Sequence, residues 1–369
     1  TTVDGGTFWE EFEHHHLQSV PTVIKDGEVF LQGRVTLEQI VSKIGRGMTG
    51  LRLKRLNALD PFDVLVVGGG PGGTAAAVYA ARKQLRVGMV ADRIGGQVLE
   101  SGQIENLITL ERVQPEELTK TFQANLRDYA VEQISGIRIE KIGDRGEDGL
   151  FPVITEGGAV LRARTVVISV GTNFRRLDIP GEEQYLNRGV TFCPHCDGPL
   201  FADRKVAVMG GGNSALEAAI DLAALAREVT VIDLADQLKA DKVLVDRLQA
   251  LPNTKVVNSA KATKVLGDGH RVTGLEYRDA AGQTHELQMD GIFVQIGSIP
   301  NTDWLQETVQ LEDGYIKIDN RGATSVPGIF AAGDCTNTPH KQIVIALGAG
   351  ANAALGAFDY LIRSPEQTD

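Results

Sequence analysis

Two segments of this chain share one pattern of apolar and polar positions. In "FDVLVVGGGPGGTAAAVYAARKQLRVGMVADR" (62–93) an apolar run stops at clustered glycines, an alanine-rich stretch follows, and a second apolar run ends at an acid. The order is strand, glycine turn, helix, strand, which is a βαβ unit. About 140 residues later the pattern recurs as "KVAVMGGGNSALEAAIDLAALAREVTVIDLAD" (205–236). The stretches around this second copy read as continuations of the first: "ARTVVISVGTNFRRLDIPGE" (163–182) before it, "GIFVQIGSIPNTDWL" (291–305) and "VPGIFAAGDCTN" (326–337) after it. The predicted fold class is therefore α/β, with two Rossmann-like nucleotide-binding domains, one inserted in the other.

A smaller unit precedes them. "VPTVIKDGEVFLQGR" (20–34) predicts two short strands about a turn. "TLEQIVSKI" (36–44) predicts an amphipathic helix, with Leu37, Ile40, Val41 and Ile44 on one face and Thr36 as N-cap. Residues 51–61, rich in basic residues, read as a linker.

Bulk composition narrows the function classes. With 369 residues, 42% hydrophobic and 23% charged, the chain has ample material for two or three cored domains. The net charge of −11 argues against a nucleic-acid or anionic-membrane binder. Three cysteines are too few for a disulfide scaffold. No signal-like segment opens the chain and no uninterrupted apolar run of about 18 residues occurs, so the expected location is cytoplasmic.

The first glycine loop presents Gly68, Gly70 and Gly73 in GxGxxG spacing. One glycine makes the turn, one lets backbone approach a pyrophosphate, and one lets helix and strand close together. The helix start adds N–H groups and partial positive charge. Asp92 ends the next strand, where its carboxylate can accept from a ribose hydroxyl. The second loop presents Gly210, Gly212 and Ala215, with alanine an accepted third residue, and Asp233 ends its strand. No arginine stands near Asp233, so the reading favours a free 2′-hydroxyl, hence NADH over NADPH. Two dinucleotide folds in one chain suggest a tightly held FAD and an exchangeable nicotinamide.

"CPHCDGP" (193–199) lies between these motifs. Zinc would need further ligands at metal spacing, and none accompany Cys193 and Cys196. A structural disulfide over two intervening residues removes little chain entropy. Redox use fits the neighbours: His195 can place positive charge beside a sulfur, and Asp197 can serve as acid or base for a leaving thiol.

These motifs carry a resemblance. "GGGPGG" (68–73), "GGQV" (95–98), "CPHCDGPLF", "GGGNSALEAAIDLA" (210–223), "GIFVQIG" (291–297), "GIFAAGDCT" (328–336) and "KQIVIALGAGANAAL" (341–355) stand in the order found in the low-molecular-weight thioredoxin reductase class of flavoprotein disulfide reductases. Within that class the chain from about 60 to 364 resembles the flavoprotein subunits of alkyl hydroperoxide reductases, also described as peroxiredoxin reductases. "CPHCDGP", "YLIR" near the C-terminus and the acid at 233 favour that branch.

The resemblance implies that Gly68, Gly70, Gly73, Gln97, Asp334 and Gln342 contact FAD, and that Gly212, Asn213 and Asp233 hold NADH. It implies FAD-domain segments 62–179 and 298–369, an NADH domain 180–297 carrying the cysteine pair, and rotation of that domain about hinges near Pro180-Gly181 and Gly297. Cys196 would lie against the flavin and Cys193 would attack the outside disulfide. Electrons would pass from NADH to FAD, to Cys193–Cys196, and on to a thioredoxin-like domain or peroxiredoxin for peroxide reduction. Homodimers are the family habit. Residues 1–50 resemble only the later part of a thioredoxin-like fold, with Pro21 at its cis-proline position. The expectation is a chain lacking most of that N-terminal region and its own CxxC, which counts against direct reduction of a peroxiredoxin. The alternatives are a thioredoxin reductase, a flavin-dependent NADH oxidase, or a redox-regulated binding protein.

Other features take plain readings. His14, His15 and His16 do not share a helix face and read as a surface helix end. Cys335 reads as a small buried residue. "GDRGEDG" (143–149) reads as a solvated hairpin turn.

Overall fold

The computed structural model describes residues 50–363 and two strands nearer the N-terminus, β1 (Thr22–Lys25) and β2 (Glu28–Gln32). These two pair antiparallel, as the sequence predicts. The helix expected over 36–44, Pro21 and His14–His16 lie outside the described residues.

The segment expected as a linker is instead largely helical. Helix α1 (Gly50–Asn57) buries Leu56 in the core of the first domain. It is held there by Arg52, which donates to the Ser135 carbonyl at 2.5 Å, and by Asn57 Oδ1, which accepts from Val160 N–H at 2.8 Å. Leu53 and Leu56 on the helix, with Leu59 just after it, pack on the first-domain core, an apolar contribution that a basic composition obscured.

The first domain is built on β3 (Phe62–Val67), β4 (Val87–Ala91), β5 (Glu132–Ser135), β6 (Ile139–Ile142), β7 (Phe151–Thr155) and β8 (Val160–Ile168). Their order is β5-β4-β3-β8-β7-β6. β3 runs parallel to β4 and β8, and both of its faces are covered, so Val64, Leu65 and Val66 are all fully buried. This is why "VLVV" is a continuous apolar run and does not alternate. Such burial stabilises by about 1.5–3 kcal/mol per large side chain. β6 and β7 form an antiparallel flap around the 143–149 turn, where Gly146 N–H bonds the Leu150 carbonyl at 2.9 Å. Helices α2 (Pro71–Ala81) and α3 (Pro115–Asp128) cover one face.

The chain leaves this domain through β9 (Thr172–Phe174) and enters a five-stranded parallel sheet. It contains β10 (Val190–Thr191), β11 (Lys205–Met209), β12 (Glu228–Ile232) and β13 (Thr254–Val257). A three-stranded antiparallel sheet of β14 (Lys261–Gly267), β15 (Val272–Arg278) and β16 (Thr284–Gln288) follows, before β17 (Gly291–Val294) returns to the parallel sheet between β10 and β11. Helix α4 (Pro194–Asp197) carries the cysteine motif, and α5 (Asn213–Ala223) and α6 (Lys242–Gln249) pack on the sheet. The chain comes back through β18 (Ser298–Pro300), paired antiparallel with β9. That two-stranded ribbon is the double crossing between the domains. Gly297 there has φ +97°, a backbone state that favours glycine.

After a small hairpin of β19 (Leu311–Glu312) and β20 (Tyr315–Ile316), β21 (Ile329–Ala331) joins the first sheet parallel to β8. Helix α7 (Ile343–Arg363) ends the described chain and is long and apolar enough, by length and composition, to cross a membrane. Its apolar character serves the core here. Ala346, Gly350, Ala353, Ala354 and Ala357 are buried, and a Cβ at Gly350 would collide with the Gly72 backbone of α2. Asn352 and Asp359, which interrupt the run, bond to the Asn320 carbonyl and pair with Arg321.

Candidate active site

The first glycine loop begins at Gly68, with φ +118°, where any Cβ would strike the Ser169 carbonyl. A Cβ at Gly73 would strike the Gly68 carbonyl, so this glycine sets the close approach of α2 to β3. At Gly70 a Cβ would meet nothing within 4 Å. The space in front of Gly70, at a helix N-terminus, is a cradle for a pyrophosphate.

That cradle opens into a cavity of about 1030 Å³. Gly68, Gly70, Asp92, Gln97, Asp334 and Gln342 all line it, together with Cys193, His195, Cys196 and Asp197. Gly73 lies behind the loop, in its packing role. The cavity's size and its helix-end cradle fit FAD, which when bound supplies two-electron chemistry beside the sulfurs.

Individual side chains are held by their neighbours. Gln97 donates to the Thr172 carbonyl at 3.2 Å. Asp92 pairs with Arg138 at 2.9 Å, and that carboxylate holds the guanidinium pKa above its ordinary value. Burial pushes the Asp334 carboxyl pKa up, opposed by nearby Lys341, whose own pKa burial lowers. Lys341 donates to the Thr336 carbonyl at 2.7 Å and lies over the Tyr315 ring. Cys335 is fully buried, and desolvation pushes its thiol pKa up to about 11, so it stays a protonated core residue.

Cys193 and Cys196 form a disulfide, with Cα atoms 5.2 Å apart. Cys193 is the N-cap of α4, and its sulfur accepts from the Cys196 N–H at 3.2 Å. Two carboxamides from the first domain reach the pair: Asn106 Nδ2 lies 3.7 Å from Cys196 Sγ and Gln342 Nε2 lies 3.8 Å from Cys193 Sγ. Phe192 stacks on Phe174 of β9 at 5.0 Å, tying the motif to the crossing ribbon. Asp197 is half-buried and accepts from the Thr191 hydroxyl. Desolvation raises its carboxyl pKa, the Thr191 bond opposes this, and Glu105 adds to it. A carboxyl with a raised pKa is better suited than an ordinary one to exchange a proton with a leaving thiolate.

His195 lines the cavity with both cysteines and also reaches a neighbouring helix. Its Nδ1 lies 3.3 Å from Asp221 Oδ2 on α5, both side chains are largely exposed, and among the described residues no hydrogen bond joins it to either sulfur.

The second loop is a separate place. Gly210 has φ +120° and Gly212 again opens onto free space, so this loop too can cradle a pyrophosphate. A Cβ at Gly211 would collide with the Asp233 carboxylate, which therefore sits directly against the loop. Asn213 is committed locally: its amide donates to Asp241 Oδ2 at 3.0 Å and its oxygen accepts the Asp241 N–H at 2.8 Å. Gly210, Gly212, Asn213 and Asp233 do not line the large cavity, although Ser214, Glu217 and Ala218 of the same helix reach it.

The family described as pyridine nucleotide-disulphide oxidoreductase matches residues 62–353. This chain belongs to that family. Among curated relatives, the F subunit of alkyl hydroperoxide reductase from Pseudomonas putida is 49% identical over 364 residues, covering 98% of this chain and 70% of the relative. Its Escherichia coli counterpart is 47% identical over 367 residues, covering 99% and 70%. Among solved structures, the thioredoxin reductase of Streptococcus pyogenes matches with TM-score 0.78 and 36% identity over 83% of this chain and 99% of that one. The Giardia duodenalis thioredoxin reductase has TM-score 0.78 and 27% identity over 82% and 100%. The chain is thus a flavin- and pyridine-nucleotide-dependent disulfide oxidoreductase of the alkyl hydroperoxide reductase group, with thioredoxin reductase-like architecture.

Sequence reasoning missed Asn106, Phe174 and Ser169. "IEN" (104–106) sits in an irregular stretch between elements, and only the fold brings it to sulfurs 90 residues away.

Proposed function

We propose that this chain moves electrons from NADH through FAD to the Cys193–Cys196 disulfide, and from there to a thioredoxin-like domain or peroxiredoxin that reduces peroxides. The observation that carries the reading is the disulfide seated in the flavin cavity, with amides of the first domain on both sulfurs and the Asp197 carboxyl of the same motif lining that cavity. In this arrangement the chain's residues orient the pair for reduction, and Asp197 supplies a proton as the S–S bond opens.

The choice of NADH rests on Asp233. Its carboxylate against Gly211 would accept from a ribose 2′-hydroxyl and repel a 2′-phosphate. Because the second loop lies apart from the cavity that holds the disulfide, nicotinamide and disulfide take turns at the flavin. The β9–β18 ribbon and Gly297 are the proposed pivot. A homodimer in the cytoplasm is the proposed setting.

Anaerobic titration with NADH tests the scheme. Flavin colour should bleach and two thiols per chain should then become alkylatable. A thioredoxin-like domain, a peroxiredoxin, a free thioredoxin and oxygen, added in separate arms, distinguish the acceptors. Turnover with oxygen alone would replace the proposal with an NADH oxidase, and preferential turnover with thioredoxin would replace it with a thioredoxin reductase.

A further inference from the structure

The two amides on the sulfurs form one unit. Asn106 Nδ2 lies 3.0 Å from Gln342 Oε1 as well as 3.7 Å from Cys196 Sγ, while Gln342 Nε2 lies 3.8 Å from Cys193 Sγ. Asn106 belongs to the irregular segment between β4 and α3, and Gln342 immediately precedes α7. Both come from the first domain, whereas the cysteines come from the second. A disulfide sulfur is a poor acceptor and gives little reason to aim two N–H donors at it. A thiolate is a strong one, and hydrogen bonds to charged groups are roughly twice as strong as neutral ones.

We infer that Asn106 is a positioning residue that stabilises the thiolate of Cys196 when the disulfide opens, acting with Gln342 as a two-amide clamp that favours the reduced pair. Opening the bond consumes two electrons and one proton. Sγ–Sγ breaks and leaves one thiol and one thiolate, with both electrons drawn from reduced flavin. The clamp lowers the free energy of that half-protonated state, and protonation of the remaining sulfur, with Asp197 as the nearby acid, completes the dithiol. The order of events follows: while the second sulfur is charged the amides hold the second domain against the first, and its protonation weakens the hold. Asn106 is itself exposed, so its replacement leaves the core untouched.

This inference rests on the reading of Cys193–Cys196 as the enzyme's redox pair, and the test separates the two. Flavin-loaded protein is reduced with a phosphine, which opens the pair without any nucleotide. Alkylation by iodoacetamide is then followed against pH and read separately at Cys193 and Cys196 by mass spectrometry. Asn106→Ala should raise the pH midpoint at Cys196 by about one, so that alkylation below the midpoint slows by about tenfold. Asn106→Asp, which puts an acceptor where the donor was, should raise it further. Both variants should keep wild-type melting temperature and flavin content. An unchanged midpoint at Cys196 in both variants overturns the clamp. So does a shift confined to Cys193, which would mean that Asn106 only braces Gln342. Failure of NADH to reduce the wild-type pair would count against the catalytic reading, while the phosphine experiment would still decide the clamp.

Discussion

The two glycine loops descend from one pattern yet are built for different tenants. In the first, a Cβ at Gly73 would strike Gly68, and one at Gly72 would lie 2.6 Å from Ser169 Oγ, while Gly350 of α7 closes on Gly72 from the other side. The loop is pinned between strand, helix and a second helix, and it opens into the large cavity. In the second, Ala215 replaces the third glycine and its Cβ leaves an ordinary clearance of 3.4 Å to a Cβ at Gly210. Gly212, Asn213 and Ser214 are exposed. A pinned loop over a large cavity suits a resident group, and an exposed loop suits a ligand that must leave each cycle. Small differences in backbone approach therefore separate a prosthetic group from a cosubstrate.

The sharpest way to separate the two sites is at the disulfide, since everything upstream of it should survive its loss. Cys193→Ser should abolish turnover with any disulfide acceptor, while anaerobic NADH still bleaches the flavin at a rate near wild type. Loss of bleaching as well would mean that the loops and the pair are not separable stations.

Next in size is Gly73→Ala. The added methyl meets a backbone carbonyl, which cannot swing away as a flexible side chain would, and overpacking of this kind costs about 1–3 kcal/mol. The displacement falls on the helix start that cradles the pyrophosphate. Protein purified with this change should be folded but largely colourless, as read by flavin absorbance per chain. Full flavin occupancy would break the view that the first loop is the tightly specified one.

Asp233→Ala probes the other side. Removing one charge-assisted hydrogen bond, worth about 1.5–3 kcal/mol, should raise KM for NADH by roughly 10- to 100-fold with flavin content unchanged. KM for NADPH should change less or fall, because a repelling charge is gone. An unaltered NADH to NADPH preference would remove Asp233 from the ribose site.

What the sequence discloses follows from how local each feature is. The strand–glycine–helix units, Asp233 and the cysteine pair are encoded within a few dozen residues, and duplication exposes the insertion of one domain into the other. Contacts across the two domains are not encoded that way. Asn106 and Gln342 meet the sulfurs from 90 and 149 residues away. Phe174 stacks on Phe192 across the crossing ribbon, and His195 turns to Asp221 on a neighbouring helix. Helix α1 was hidden for another reason: its basic residues dominate the composition, while the burial of Leu56 depends on a strand face formed more than 70 residues later.

The smallest effect belongs to Ala215, and it tests whether the second loop is merely a looser copy of the first. Restoring the third glycine by Ala215→Gly gives the second loop the same residue as the first. If the motif alone set tightness, the variant should bind nucleotide more firmly. The structure argues otherwise. Ala215 is fully buried in the second core, and its methyl already clears Gly210. Removing it loses one buried methyl, about 0.8 kcal/mol, and places glycine inside helix α5, about 1 kcal/mol more. The expected result is a fall in melting temperature of a few degrees with KM for NADH within about twofold of wild type. A marked drop in KM would show that the third glycine sets affinity. Unchanged affinity would leave the difference between the loops with their surroundings, namely the cavity and α7 around the first and the exposed residues 212–214 at the second.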